Sequence, residues 1–371
     1  MSQKKIRVGI IGLNPQRGWA HDAHVPALHA LGDDYEITAC CTSRIESASE
    51  SAKALGIAHA FTNPAEMAAH PEVDLVVVTV KVPEHDQLVR AALAAGKHVY
   101  CEWPLAMDAR EAAELAKLAK AKGVRHIIGL QSRASPIIRR VKDLVAEGYV
   151  GTVRSSSLIA SGMVWGPFID QANLYNQDPK NRVTMLTVPF GHFIDAFAYC
   201  LSPLAEISAL ESRFYEQTLL IETGQMVPKL ANDQLLVQGR LRSGAVAALH
   251  YRGGMSKASN LHWEINGTDG DLVVSGPLGH LQLAPLTLRG ARGQEQALAD
   301  LELPASYVNP AIPQGMGWNV GHLYAAIAPG LRDASAALPA WVADFDAAIG
   351  VHKVIEGVER AAAEGTRLRL E

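Results

Sequence analysis

The chain has 371 residues, with 34 Lys and Arg against 38 Asp and Glu and a formal net charge of -4. That length is too great for one ordinary core and implies two domains. The faintly acidic balance, with no basic run, gives no electrostatic case for a nucleic-acid partner. No apolar run reaches the roughly 20 residues needed to cross a bilayer, so no membrane is expected.

The N-terminus "MSQKKIRVGIIG" runs straight into a strand pattern and leaves no room for a signal peptide. Cys40, Cys41, Cys101 and Cys200 form no C-x-x-C pair. They read as buried thiols of a reducing, cytoplasmic setting rather than as a disulfide framework.

Over the first 130 residues, apolar runs alternate with helical patterns. Strands are predicted at 6–12, 35–42, 73–80, 98–101 and 124–130, and helices at 19–31, 44–55, 84–95 and 108–122. Continuous β-branched runs such as "VDLVVVTV" mark strands buried on both faces. Strand–helix alternation of this kind gives a parallel, doubly wound sheet.

After about residue 134 the pattern changes. A helix at 135–147 ends at "EGYVGTV", and alternating strands follow at 153–161, 205–214, 233–241, 245–251, 261–267, 270–276 and 281–288. "RSG" (242–244) and "GTDGD" (267–271) read as hairpin turns. One helix at 184–200 interrupts the strands, two helices at 318–329 and 340–362 close the chain, and 289–316 reads as an unpatterned loop. The expected architecture is α/β. A doubly wound Rossmann domain over 1–131 precedes an α+β domain over 132–371 with a large, mostly antiparallel sheet. The second sheet has more strands than its helices can cover on both faces, so a homodimer or larger assembly is expected.

The turn after the first strand, "VGIIGLNPQRGWAHDAHVPAL", places Gly12 at the bend and Gly18 and Trp19 near the start of the helix. In a dinucleotide fingerprint, glycines let the backbone approach a pyrophosphate at a helix N-terminus. Here Asn14 replaces the second glycine in a longer loop, and Asn tolerates a left-handed backbone. The second strand ends in Thr42-Ser43-Arg44 where an NAD-selective site often carries an acid. Ser43 and Arg44 either accept a 2′-phosphate, making the cofactor NAD or NADP, or Ser43 caps the next helix. His21 and His24 lie three apart with no third ligand nearby, so no metal is expected.

The segment "VTVKVPEHDQLVRAALAAGKHVYCEWPLAMDAREAAELAKLA", with "GTVRSSSL" and "GHFIDAF" further on, resembles the glucose–fructose oxidoreductase/inositol dehydrogenase (Gfo/Idh/MocA) family over nearly the whole chain. The resemblance implies a Rossmann domain, a sheet domain, and hydride transfer between NAD(P) and sugars or polyols. It places Glu102, Trp103, Thr79, His85 and Gln131 around the cofactor. It makes His192 the acid/base for a substrate hydroxyl, with Glu102 and Trp103 beside the reaction. Two residues depart from the pattern. Trp103 stands where the family has lysine in Glu-Lys-Pro, and Val188 where it has an aspartate four positions before His192.

The "GLN…GWA" loop, the Glu-Trp tip, "LQSRASP" and "FGHFID" are similar to the branch holding the fungal galactose-pathway repressor. Three readings follow: a carbohydrate oxidoreductase; a redox glycosidase that oxidises transiently on bound NAD, eliminates and re-reduces; or a non-catalytic sugar-pathway regulator. Candidate substrate contacts are Arg133, Trp165, Tyr175, His192 and Asp195, with Arg252 and Lys257 at a strand end. Trp165 and Tyr175 would belong to a stacking lid in "SGMVWGPFIDQANLY".

Overall fold

The computed structural model describes residues 4–370 as two compact units. One contains the chain up to Ala134 together with Val308–Ile349, and the other Ser135–Tyr307 with the segment from Gly350 on. The division differs from a single cut after residue 131 because Val308–Ile349 returns to the first unit. The reason is apolar burial: Ile312, Val320, Leu323, Tyr324, Ile327 and Leu331 are fully part of that unit's core.

The first unit is a six-stranded sheet, all parallel. Its strands are β1 (Ile6–Ile11), β2 (Tyr35–Cys41), β3 (His59–Phe61), β4 (Leu75–Val78), β5 (His98–Glu102) and β6 (His126–Gly129). Their order is β3-β2-β1-β4-β5-β6. The sheet order reverses between β1 and β4, and ligands of such sheets bind at the carboxyl ends of those strands. Val76, Val77 and Val78 are wholly buried, as the continuous apolar run requires.

β3 and the helix Pro64–Ala69 were not foreseen, since His-Ala-Phe carries no β-branched run. The helix does carry a start signal, with Asn63 accepting a bond from Ala65 N (2.9 Å) and Pro64 in the first turn. The expected helix 19–31 is a π-helical turn, Ala20–His24, running into an α-helix, Val25–Ala30.

The second unit is built on nine strands, six of them foreseen in place: β7 (Val153–Gly162), β9 (Leu204–Ser212), β12 (Gln234–Leu241), β13 (Val246–Gly253), β14 (Leu261–Gly267) and β15 (Gly270–Gly276). β16 (Thr287–Arg292), β17 (Ala299–Asp300) and β18 (Leu368–Arg369) complete the order β17-β16-β15-β14-β7-β13-β12-β9-β18. Only β7 and β13 pair in parallel. β8 (Phe168–Ile169), β10 (Gln217–Leu220) and β11 (Gln225–Pro228) form a small second sheet.

The strand expected at 281–288 starts later. His280–Ala284 is a turn, closed by Ala284 N on His280 O at 2.9 Å, and Pro285 bars ladder pairing until Thr287. So part of the expected loop 289–316 is strand.

Side chains alternate across this sheet. Leu158, Leu235, Leu249, Tyr251, Trp263 and Ile265 point into the core, while Ile159, Leu236, Val246 and Ala248 lie on the open face. The inner face is covered by the helix Gly191–Cys200, whose Phe193 ring lies 5.3 Å from Trp263 and 6.3 Å from Tyr251. The run Pro179–Cys200 is apolar and long enough to cross a membrane by length and composition, but 72% of it is buried inside the unit, as in a core helix. Pro189, which lacks an N–H, sits in a π-helical turn, Leu186–Phe190, just ahead of that helix.

Candidate functional site

The first unit gathers most of the cofactor candidates at the carboxyl ends of its strands. Gly12 follows β1 with φ +96°, and its amide is held by Cys41 O at 2.9 Å. A Cβ there would lie 2.6 Å from Val80 Cγ1, so only glycine permits this close turn. Gly18, at φ +93°, takes the left-handed position that Asn14 was expected to supply. Asn14 instead accepts a bond from Gln16 N through Oδ1 (2.9 Å), closing an Asx turn. Thr79 Oγ1 donates to Ile11 O at 2.8 Å, locking the ends of β1 and β4 together.

At the end of β2, Ser43 is exposed and does not cap the helix Ile45–Leu55. Arg44 occupies the cap position without a side-chain bond, and Thr42 and Ser47 hydroxyls bond Arg44 O instead. The exposed Ser43 and Arg44 are thereby left available to a ligand.

The tip of β5 is a wired polar cluster in an apolar shell. His24 Nε2 donates to Glu102 Oε1 at 3.0 Å, which leaves Nδ1 to accept from the Tyr324 hydroxyl at 2.8 Å. Gln131 Nε2 reaches the other carboxylate oxygen at 3.4 Å, while its Oε1 is buried without a partner. A Cβ at Gly129 would sit 2.7 Å from the Glu102 carboxylate, so this glycine makes the room for it. Tyr35 donates to Tyr324 O at 2.7 Å, and the Tyr100 and Tyr324 rings stack at 5.3 Å. Burial raises the phenol pKa values of Tyr35, Tyr100 and Tyr324, so all three stay neutral; Tyr35 and Tyr324 donate, while the Tyr100 hydroxyl is buried without a partner.

Trp103 is 5% exposed and its peptide bond to Pro104 is cis. Both ring nitrogens of His85 face carbonyl oxygens, Pro104 O at 2.8 Å and Val80 O at 3.0 Å. Burial lowers the His85 pKa while the contacts with Val80 O and Pro104 O raise it, and the ring fastens the tip to the turn after β4. His21 turns away to Asp22 (2.8 Å), so it and His24 do not converge on a metal. His24, Tyr35, Tyr100 and Tyr324 are the members of this cluster that sequence reasoning did not place there. The signal for His24 was the "GWAHDAHVP" π-turn, which rotates it inward.

These residues fit a dinucleotide: two left-handed glycines bracket a turn at the sheet's reversal point, and the orphaned Gln131 Oε1 and Trp19 Nε1 are buried polar atoms in want of partners.

In the second unit, His192 is buried on the helix Gly191–Cys200, and its Nδ1 has no hydrogen-bond partner. Burial, with the nearby His280 adding to it, lowers its pKa to about 3. Burial lowers that of His280 to about 4. His280 was not foreseen; it stacks on Trp165 at 6.1 Å and meets Gln282 Nε2 through Nδ1 at 3.3 Å. Trp165 is therefore not part of an exposed lid. It is 2% exposed, with Nε1 donating to Val183 O at 3.4 Å. Tyr175 is half-buried on a short 3-10 turn, and Asp195 is buried one turn after His192. Arg252 is committed to Ser259 O at 2.5 Å, and Lys257 is exposed. Arg133, in the first unit, is half-buried on the turn Gln131–Ala134.

Residues 6–130 match the model of the oxidoreductase family with an NAD-binding Rossmann fold, and residues 136–276 that of the Gal80p C-terminal domain. The galactose/lactose metabolism regulatory protein GAL80 of Saccharomyces cerevisiae is 33% identical over 318 residues, 80% of this chain and 73% of that protein. The chain belongs to the Gfo/Idh/MocA family, on its Gal80-like branch. Within that family, dehydrogenase aclE of Aspergillus oryzae is 30% identical over 285 residues, covering 74% of this chain and 78% of the relative. A super-repressor mutant of Gal80p from Saccharomyces cerevisiae superposes with a TM-score of 0.89 at 28% identity, over 99% of this chain and 98% of that one.

Proposed function

We propose that the protein is an NAD-dependent oxidoreductase acting on a hydroxyl of a sugar, sugar derivative or polyol. The observation that carries this reading is His192, a buried, neutral imidazole with an unpartnered nitrogen. Removing a hydroxyl proton must accompany loss of the hydride, and because burial leaves the free ring a weak base with a pKa of about 3, the bound cofactor and substrate would have to raise that value for Nδ1 to take the proton. Bound NAD would supply the hydride acceptor. Gly12 and Gly18 would give the backbone room to approach its pyrophosphate, and Glu102, held by His24 and Gln131, would bond ribose or substrate hydroxyls. Trp103 would present a flat apolar face for a nicotinamide or sugar ring. Arg133, Tyr175 and Asp195 are proposed substrate contacts.

A second reading is favoured by Trp103 and Val188 standing where the family carries lysine and aspartate, and by the match to GAL80. In it, the protein binds NAD and a sugar without turnover. Calorimetric titration with NAD and NADP, followed by a search for reduced nicotinamide over a panel of aldoses, polyols and aryl glycosides, separates the two. NAD binding with turnover supports the oxidoreductase, aglycone release dependent on NAD moves it to a redox glycosidase, and binding with no reaction across the panel leaves the regulator.

We also propose that two copies associate through the open face of the nine-stranded sheet. Ile159, Leu210, Leu236 and Val246 are 43%, 58%, 42% and 48% exposed there, around a shallow hollow of about 550 Å³. Sedimentation velocity at micromolar concentration should give a dimer or larger species, and Leu210→Lys with Leu236→Lys a monomer. A wild-type monomer would remove this proposal.

A further inference from the structure

At the amino ends of β3 and β4, opposite the strand ends that carry Gly12 and Glu102, lies a cluster the proposed function does not use. His59 is the first residue of β3, His70 closes the helix Pro64–Ala69, and Glu72 lies in the turn that leads into β4. One donor atom from each falls within 4.8 Å of the others, the one such trio of His, Cys, Asp or Glu among the described residues. His59 Nε2 lies 2.5 Å from Glu72 Oε2, and the two imidazoles are 4.2 Å apart, tilted by 48°.

The frame that presents these side chains is pinned. Lys97 Nζ donates to His70 O at 3.2 Å and to Val73 O at 2.6 Å, and Thr38 Oγ1 donates to Glu72 O at 2.5 Å. His59 sits in a strand, paired with Ala39. His70 Nδ1 accepts the Glu72 amide at 3.3 Å, a long bond that turns this ring toward the Glu72 turn.

From this geometry we infer that His59, His70 and Glu72 form a binding site for a divalent transition metal of the zinc type. Two imidazoles and one carboxylate are a donor set zinc accepts, with a water completing four-coordination. Ligands on one tetrahedral zinc stand about 3.4 Å apart, given metal–ligand distances near 2.1 Å. His59 and Glu72 must therefore open by roughly 1 Å and the His70 ring must close in. His59 and His70 are half-buried, each beside the Phe61 ring, and Glu72 is exposed, so the carboxylate makes most of the rotation. The bound ion would tie β3 to the approach of β4 in place of the His59–Glu72 hydrogen bond. This site is independent of hydride transfer.

The test is calorimetric titration of the chelator-stripped full chain with zinc chloride, beside the variants His59→Gln, His70→Gln and Glu72→Gln, with His21→Gln as a control. One saturable equivalent is expected, weakened in each of the three variants by more than the roughly 10–100-fold that loss of an outer-shell partner costs, and unchanged in the control. Zinc should also raise the melting temperature of the wild type and not of the three variants. Cobalt(II) in place of zinc should give the intense visible bands of a four-coordinate site. Absence of a saturable equivalent, or equal affinity in the wild type and the three variants, overturns the assignment. Circular dichroism of the apo-variants matching that of the wild type shows that lost binding is not lost folding.

Discussion

The two buried histidine environments differ in kind. At the tip of β5, both His24 nitrogens are engaged, by Glu102 and by the Tyr324 hydroxyl, and the unpartnered atoms lie beside that chain, on Gln131, Trp19 and Tyr100. His192 is buried near a second histidine, His280, its Nδ1 has no hydrogen-bond partner, and Val188 stands four positions before it. The first arrangement spends its hydrogen bonds on holding a shape. The second leaves a buried ring nitrogen without a protein partner, which costs stability and leaves that nitrogen open to a ligand. A fold can thus keep a rigid cofactor cradle in one unit while keeping an unsatisfied group ready in another.

This contrast can be broken from either side. The largest effect is expected from His192→Asn, which should lower kcat by about 10²–10⁴-fold, the usual worth of general acid–base catalysis, with NAD affinity unchanged in titration. Gly12→Val should abolish saturable NAD binding. A side chain there adds about 1–3 kcal/mol of backbone strain and collides with Val80. The cradle variant thus loses the cofactor and the histidine variant loses only the chemistry.

In the wired cluster, His24→Leu should destabilise the protein by about 3 kcal/mol in urea unfolding, because it strands the Glu102 carboxylate in a buried site. Adding Glu102→Gln should recover part of that loss, which reads out the pair directly.

The unsatisfied side has a pH signature. The folded-state pKa values of His192 and His280 lie at about 3 and 4, below the ordinary value near 6.5. On acidification the unfolded chain takes up protons that these buried rings refuse, so their contribution is full above about pH 6.5 and falls as pH drops toward 4. The expected slope is on the order of 1 kcal/mol per pH unit for each ring. Chemical denaturation at pH 7, 6, 5 and 4.5 should show it, with a shallower slope in His280→Gln. The smallest change is expected at Arg44, exposed and uncapped: Arg44→Ala should shift the ratio of NADP to NAD affinity by less than about tenfold toward NAD.

Where one period dominates, the fold was legible in the amino-acid sequence. β4 reads as a buried parallel strand from its valines, and β7, β12, β13 and β14 read as half-buried strands from their alternation. β3 escaped because three residues carry no period, and 281–288 misled because Leu281 and Leu283 alternate like a strand while Pro285 prevents pairing.

The return of Val308–Ile349 to the first unit is a matter of which core an apolar helix joins, and a helical period does not encode that. Among the candidate site residues, Gly12, Gly18, Glu102, Trp103, Gln131 and His192 were singled out from motif position, and the structure places the first five around the strand ends of the first unit and His192 on a buried helix of the second. His24 and His280 were not singled out for the site: one depends on a π-turn rotating it inward, the other on a loop folding its ring onto Trp165.

The most direct test of the central claim is the formation of reduced nicotinamide by the wild type and His192→Asn, side by side, with NAD and a panel of aldoses and polyols. The expected result is turnover of at least one sugar or polyol by the wild type and its near loss in a variant that still binds NAD. Tight NAD binding by both proteins with no reduced nicotinamide from either, across the panel, would contradict the assignment of His192 as the proton acceptor of an oxidoreductase.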